Sequence, residues 1–385
     1  MSSWFDPSTG SGLTMSVDRV SLILSLSKDE QAVETRGTHA RKTRRGVRLS
    51  DDVRRIAAIV VSAALVFAHA QPAFAYLKFG IRVNGRSATL KWPQMPVRYF
   101  VSDAGVPQVT AAQFQAAVGR AFSTWEAVPT ASITYQFAGF TSARPQDEDG
   151  QSTLGFLNKP ELDHVLASTN FLVDNSTGAI VETDIFFNSS FPWSVADTGQ
   201  AGRFDIQSIA LHEIGHMSGL GHSAIGETEL LPDGGRRVIA AEAVMFPIAY
   251  SAGSIAERTL RADDIAGISD IYPDGGVETD TGSVSGRITK DGQPVFGAHI
   301  VAFNPADGSL VGNFSLNAQG EFVIAALSPG PYVIRVEPLD DADLESFFDA
   351  SRSVDVDFRV TYFEHLAIVP RGADTGTLDI HVVRK

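Results

Sequence analysis

The sequence predicts an α+β domain followed by a small all-β sandwich, and three observations carry that reading. Strand-like and helix-periodic runs mix between residues 97 and 188. A Pro273-Asp274-Gly275-Gly276 break then opens an acidic, Gly/Thr-rich stretch to Ser283. Beyond it the chain changes character, into short apolar runs separated by turn pairs. At 385 residues, with 44% hydrophobic and 20% charged content, there is material for two cores.

Residues 1–52 show no sustained amphipathic period and end in a basic run from Arg41 to Arg48. Leu22-Ile23-Leu24 is an apolar patch with no role the sequence assigns. This stretch reads as a non-structural or mis-called extension, with Val53 as the true start. Arg54-Arg55, the uncharged run Ile56 to Ala70 and Ala73-Phe74-Ala75 form a positive region, an apolar region and an A-x-A cleavage site. Residues 53–75 therefore read as a secretory signal peptide, with Tyr76 as the exported N-terminus. The competing reading, a transmembrane anchor, needs roughly 20 apolar residues, more than the run offers. From Tyr76 to Thr89 runs a lead-in too short to fold as an inhibitory prodomain. From residue 76 onward 21 basic face 38 acidic side chains, a net of −17. That balance argues against nucleic acid and anionic membrane as partners. With no cysteine, neither disulfides nor a thiol-based latency switch is available.

Val97–Val101 reads as a strand. Thr110 is placed to cap a helix to about Ala127, with Phe114, Val118, Ala121, Phe122 and Trp125 on its core face. Ile133–Phe137 alternates as a second strand, and Ile180–Asn188, containing Asp184, is a third. The Gln146–Gly150 cluster, with Asp147, Glu148 and Asp149, reads either as a calcium-binding turn or as a solvated acidic loop. His164 has no partner histidine nearby and reads as a non-ligand. Asp205 is a plausible cap for the helix that follows.

That helix carries the strongest signal, His212-Glu213-Ile214-Gly215-His216-Met217-Ser218-Gly219-Leu220-Gly221-His222. Residues four apart lie on one helix face, so His212 and His216 aim imidazoles at one spot. Gly219 can take a left-handed conformation, ending the helix and turning the chain to deliver His222. Three imidazoles at about 2.0–2.1 Å leave the fourth position of a zinc ion open to water, as in a catalytic site. Glu213, rotated off the ligand face, can reach that water as a base without ligating.

The pattern H-E-x-x-H-x-x-G-x-x-H resembles the metzincin zinc peptidases. Ala243-Val244-Met245-Phe246-Pro247 resembles their methionine turn, which makes Met245 the buried methionine under the metal. Ser223 after the third histidine, and Leu260 through Ile268, resemble the matrixins, the matrix-metalloproteinase family and its bacterial relatives. Trp92–Val101 and Phe114–Val128 resemble their first strand and helix, so the likeness spans about residues 90–273. It implies a twisted mixed sheet with three main helices, and it makes Ile180–Asn188 the edge strand bordering the active cleft. Phe186 stands where members with a second, structural zinc carry histidine, so one zinc is expected. Ser218 departs from the usual leucine.

After the linker (275–283), residues 284–385 offer strand runs at Val284–Thr289, Ala298–Phe303, Glu321–Ile324 and Tyr332–Val336. Gly286, Gly292-Gln293-Pro294-Val295, Gly297-Ala298, Gly320-Glu321-Phe322 and Pro329-Gly330 resemble the carboxypeptidase regulatory-like, transthyretin-like domain. His299, His365 and His381 read as strand residues, and the acidic insertion Asp340–Asp349 has no legible role. The sandwich is expected to separate from residues 76–274.

The reading implied is a secreted zinc endopeptidase, extracellular or periplasmic, acting on protein or peptide substrates and unanchored once its signal is removed. His212, His216 and His222 would hold zinc, and Glu213 would be the general base. Val244, Pro247, Ile248, Ala249 and Tyr250 would form an apolar pocket without fixed charge for the residue after the scissile bond. Pro247-Ile248-Ala249-Tyr250 sets the tyrosine one residue later than the matrixins' Pro-x-Tyr. Two outcomes follow: Tyr250 rebuilds the pocket wall through a bulge, or Ile248 and Ala249 bound a wider pocket. A surface-binding protein with a vestigial peptidase domain, or a zinc hydrolase of a non-peptide substrate, are the other two readings.

Overall fold

The structure is a computed structural model describing residues 19–27, 78–83, 86–232, 236–348 and 353–385. The expected signal peptide and the proposed start at Val53 lie outside the described residues.

The N-terminal unit is built on β1 (Arg19–Ser27), β2 (Val97–Ser102), β3 (Tyr135–Thr141), β4 (Thr153–Leu157), β5 (Val165–Asp174) and β6 (Ile180–Asn188). They form one sheet in the order β1-β5-β6-β4-β2-β3. The pairs β2/β3, β2/β4 and β4/β6 are parallel, while β5 runs antiparallel to β6. β1 pairs antiparallel along the outer edge of β5 from Arg19↔Asp174 to Ser27↔Val165. Its central residues are the apolar patch to which the sequence assigned no role.

This order corrects one expectation. Ile180–Asn188 is an inner strand, hydrogen-bonded on both sides, and β5 is the strand beyond it. The two form an antiparallel hairpin, and local sequence does not say which arm turns outward.

Helices α1 (Ala111–Glu126), α2 (Ile206–Met217) and α3 (Ala262–Ile271) complete this unit. Thr110 and Gln113 form a reciprocal capping box that satisfies free N–H groups at the start of α1. Its periodic face, Phe114, Val118, Ala121, Phe122 and Trp125, is buried against the sheet and α2, as the spacing predicts. The Trp125 indole N–H donates to the Leu211 carbonyl at 2.8 Å, fixing α1 against the histidine helix. Asp205 caps α2 by accepting from the Ser208 N–H at 2.8 Å.

The stretch read as a linker contains a short helix, α4 (Val277–Asp280), and the next strand starts at Gly282. The C-terminal unit comprises β7 (Gly282–Lys290), β8 (His299–Phe303), β9 (Leu310–Phe314), β10 (Glu321–Leu327), β11 (Gly330–Glu337), β12 (Thr361–Tyr362), β13 (Ala367–Val369) and β14 (Asp374–Val382). β10 and β14 flank β7 in one sheet, and β9-β8-β11-β12 form the other, with β13 also on β11. Their apolar faces enclose a core that includes Val284, Ile300, Phe322, Ile334 and Phe358. Ala266 of α3 belongs to that same core, so the two units share buried surface.

Candidate metal centre

α2 ends where its sequence requires. Gly219 has φ +98°, and a Cβ there would stand 2.4 Å from the Leu90 carbonyl oxygen. Glycine alone allows both the left-handed turn and the close approach. The Gly219 and Leu220 N–H groups donate back to His216 O at 2.7 Å and Gly215 O at 3.1 Å, closing the helix. Ser218 is fully buried and fits because its hydroxyl bonds Ile214 O and the Tyr135 hydroxyl, each at 2.7 Å.

The turn brings His222 to the other two histidines. The facing nitrogens are 3.0 Å apart for His212 Nε2 and His216 Nε2, and 3.2 Å for His216 Nε2 and His222 Nε2. Each ring is held from behind: Nδ1 of His212 lies 2.7 Å from Val244 O, that of His216 2.9 Å from Leu220 O, and that of His222 2.6 Å from Ser346 O. A carbonyl only accepts, so each Nδ1 carries the proton and each Nε2 presents a bare lone pair. Three lone pairs this close repel one another unless a cation sits among them. Two nitrogens bound to a tetrahedral zinc at 2.0–2.1 Å would stand roughly 3.3 Å apart, close to what is seen. The donor set fits zinc. Among the described residues, this is the group of His, Cys, Asp or Glu side chains placed to hold a metal ion.

Electrostatics agree. Burial, then the nearby His222, pushes the His212 pKa down to about 3. Burial drives His216 well below its ordinary value and His222 down to about 4. Such imidazoles are neutral, and so able to ligate, at any ordinary pH.

Glu213 is fully buried beside this cluster, and its Oε2 accepts from the Thr169 hydroxyl at 2.6 Å. Thr169 lies on β5, so the strand the sequence passed over is the one that meets the proposed base. Met245 lies under α2: a Cβ on Gly215 would come within 2.2 Å of its sulfur, so the glycine between the histidines makes room for it. The turn carrying Met245 is held by Asp264, whose carboxylate accepts from the Val244 and Met245 N–H groups at 2.9 and 3.1 Å. The sequence offered Asp264 only as part of a helix start.

The expected pocket residues divide. Val244 supplies the carbonyl behind His212, and Pro247 is buried. Ile248 packs with Ala241, Phe246 and Ala342, toward the C-terminal unit. The Tyr250 hydroxyl accepts from the Ala241 N–H at 2.9 Å. Ala249 and Tyr250 line a cavity of about 330 Å³ together with Phe191, Phe204, Val238, Arg236 and Arg237. Arg236 and Arg237 reach this cavity from the hairpin Gly226–Leu230/Arg236–Ala241.

The acidic loop at 146–150 folds over Glu182 and Asp184: Gly150 N–H donates to Glu182 and Gln146 N–H to Asp184. Burial first, opposed by backbone N–H bonds, pushes Asp184 up to about 7. Phe186 is buried in the core, His164 pairs with Asp163, and His299 pairs with Glu337 at 3.0 Å.

Residues 91–233 match the family model of the matrixins, and residues 283–361 that of the carboxypeptidase regulatory-like domain. The chain thus carries a stretch similar to the matrixins, followed by one similar to the carboxypeptidase regulatory-like domain. It is similar to Metalloendoproteinase 1 of Glycine max, 30% identical over 174 residues, which is 41% of this chain. The chain spans 45% of that relative's length. Among solved structures, the Bacillus anthracis TIE protein is matched at 15% identity over 27% of this chain and 17% of that one, with a TM-score of 0.18, too low to define a common fold.

Proposed function

We propose that this chain is a zinc-dependent endopeptidase, exported and acting on protein or peptide substrates. The observation that carries the reading is the triad of neutral imidazoles with converging Nε2 lone pairs and a buried carboxylate, Glu213, beside them. His212, His216 and His222 would hold the zinc, which would supply a Lewis acid able to lower the pKa of water to about 7 and to polarise the scissile carbonyl. Glu213 takes the proton of the attacking water and delivers it to the leaving amine. The Thr169 hydroxyl fixes the Glu213 carboxylate while it does so. An extended substrate would add along β5 by main-chain hydrogen bonds, at the edge β1 covers in the full chain. Loss of residues 1–75 with the signal peptide would clear that edge.

Export rests on the sequence of residues 53–75. Among the described residues no helix is long and apolar enough to cross a membrane.

The test is Glu213→Ala. It should keep one zinc per chain, since Glu213 is no ligand, while casein hydrolysis falls by at least about 10². Near-parental turnover would falsify the mechanism. Chelator-insensitive digestion, or no digestion by the zinc-loaded parent, would remove the peptidase reading itself.

A further inference from the structure

We infer that the C-terminal unit completes the metal centre, with Ser346 acting as a positioning residue for His222 through its backbone carbonyl. The inference rests on the metal-site reading above and adds a part to it.

His212 and His216 need no help from afar. Both sit on α2, and the carbonyls behind them come from the methionine turn and from the turn that ends the helix. His222 is different. It stands on a loop, with no helix to fix its ring, and its Nδ1–H is met 2.6 Å away by a carbonyl 124 residues further along the chain. The hydrogen bond behind a ligand histidine sets its tautomer and ring orientation, and removing such a partner commonly costs about 10–100-fold in metal affinity.

The Ser346 carbonyl is aimed by its local structure. Leu344–Ser346 is a single 3-10 turn, closed by Ser346 N–H to Asp343 O at 3.0 Å and by Phe347 N–H to Leu344 O at 3.0 Å. The last carbonyls of so short a helix have no acceptor role inside it, so they turn outward. The segment is anchored on the N-terminal unit at its other end, where Asp341 accepts from Thr228 N–H at 2.9 Å and Asp341 O accepts from the Thr228 hydroxyl at 2.7 Å. Phe347 lies edge-on to the His222 ring, with centroids 6.5 Å apart, and packs on Phe314 of β9. The acidic insertion with no legible role in the sequence is thus the piece that reaches the metal centre.

The experiment uses the full chain and measures zinc affinity by competition with a chromogenic chelator. Ser346→Pro removes the N–H that closes the turn and disfavours helical geometry at Glu345, so the carbonyl swings away. Its zinc Kd should rise about 10–100-fold, and the visible bands of the cobalt-substituted protein should shift. Ser346→Ala keeps both backbone groups and should leave the Kd within about twofold of the parent on this reasoning. Equal affinity in Ser346→Pro and parent overturns the inference while leaving the peptidase reading intact; a parent that takes up no zinc ends both. If Ser346→Pro does not fold, the proton on His222 Nδ1 decides. In the zinc-loaded parent it should be visible by 15N-edited NMR and slow to exchange, and fast exchange there overturns the inference.

Discussion

At the scale of single residues, the site divides by sequence distance. His212, His216 and His222 were legible because one helix and one turn encode their convergence in eleven consecutive residues. Thr169 was not, because its contact with Glu213, 44 positions away, exists only once the sheet order places β5 over α2. Its role can be tested on its own. Thr169→Val keeps shape and β-propensity but removes the hydroxyl that bonds Glu213. A hydrogen bond to a charged group is worth about 1.5–3 kcal/mol, so kcat should fall roughly 10–100-fold. KM and zinc content should stay put, since Thr169 is placed on neither substrate nor metal. Unchanged kcat would show that Glu213 holds its position without this donor.

At the scale of elements, α1 and the histidine helix were readable from periodicity and caps, since both signals are local. The sheet edge was not. The β5/β6 hairpin has apolar side chains on both arms, and only the parallel pairing of β6 with β4 decides which arm lies outside. The wall after the methionine turn shows the same limit. Its own residues predicted an apolar pocket, but Arg236 and Arg237 arrive from the neighbouring hairpin. Both arginines are already engaged: Arg236 bonds the Thr228 hydroxyl at 2.8 Å and Asp340 O at 3.1 Å, and Arg237 pairs with Glu229. The charge on this wall is therefore largely spent, while each methylene buried there gains about 0.8 kcal/mol. If this cavity receives the side chain after the scissile bond, cleavage should fall before Leu, Ile, Met or Phe. Mass-spectrometric mapping of cut sites in a peptide library checks this, and a preference for Asp or Glu after the cut would mean that the arginines stay available to substrate.

At the scale of the whole molecule, the expectation of a freely separable sandwich meets a shared interior: α3 lends Ala266 to the sandwich core and holds the methionine turn through Asp264. The residue before it, Asp263, accepts from the Gly312 N–H of β9 at 2.8 Å. Adjacent carboxylates on one helix thus tie the metal-side turn and the C-terminal unit to the same point, a connection invisible in the sequence because Gly312 lies 49 residues downstream. Burial is the main cause that pushes Asp263 up to about 7, the neighbouring Asp264 charge adds to it, and the Gly312 N–H opposes it. The sign follows from where each state holds its proton. Below about 4, the ordinary carboxylate range, folded and unfolded chains are both protonated, and the group's stabilising contribution is fully present. As pH rises toward 7 the unfolded chain releases its proton while the folded one keeps it, so stability falls, and the loss is complete above about 7. Asn at this position still accepts from Gly312 but cannot ionise. Asp263→Asn should therefore flatten the decline between about pH 4 and pH 7 and stand above the parent at pH 8. Urea unfolding of both metal-free chains across that range reads the difference directly, with contributions common to both cancelling. Parallel curves would mean that Asp263 is ionised in the folded protein, with the Gly312 N–H and local water outweighing its burial.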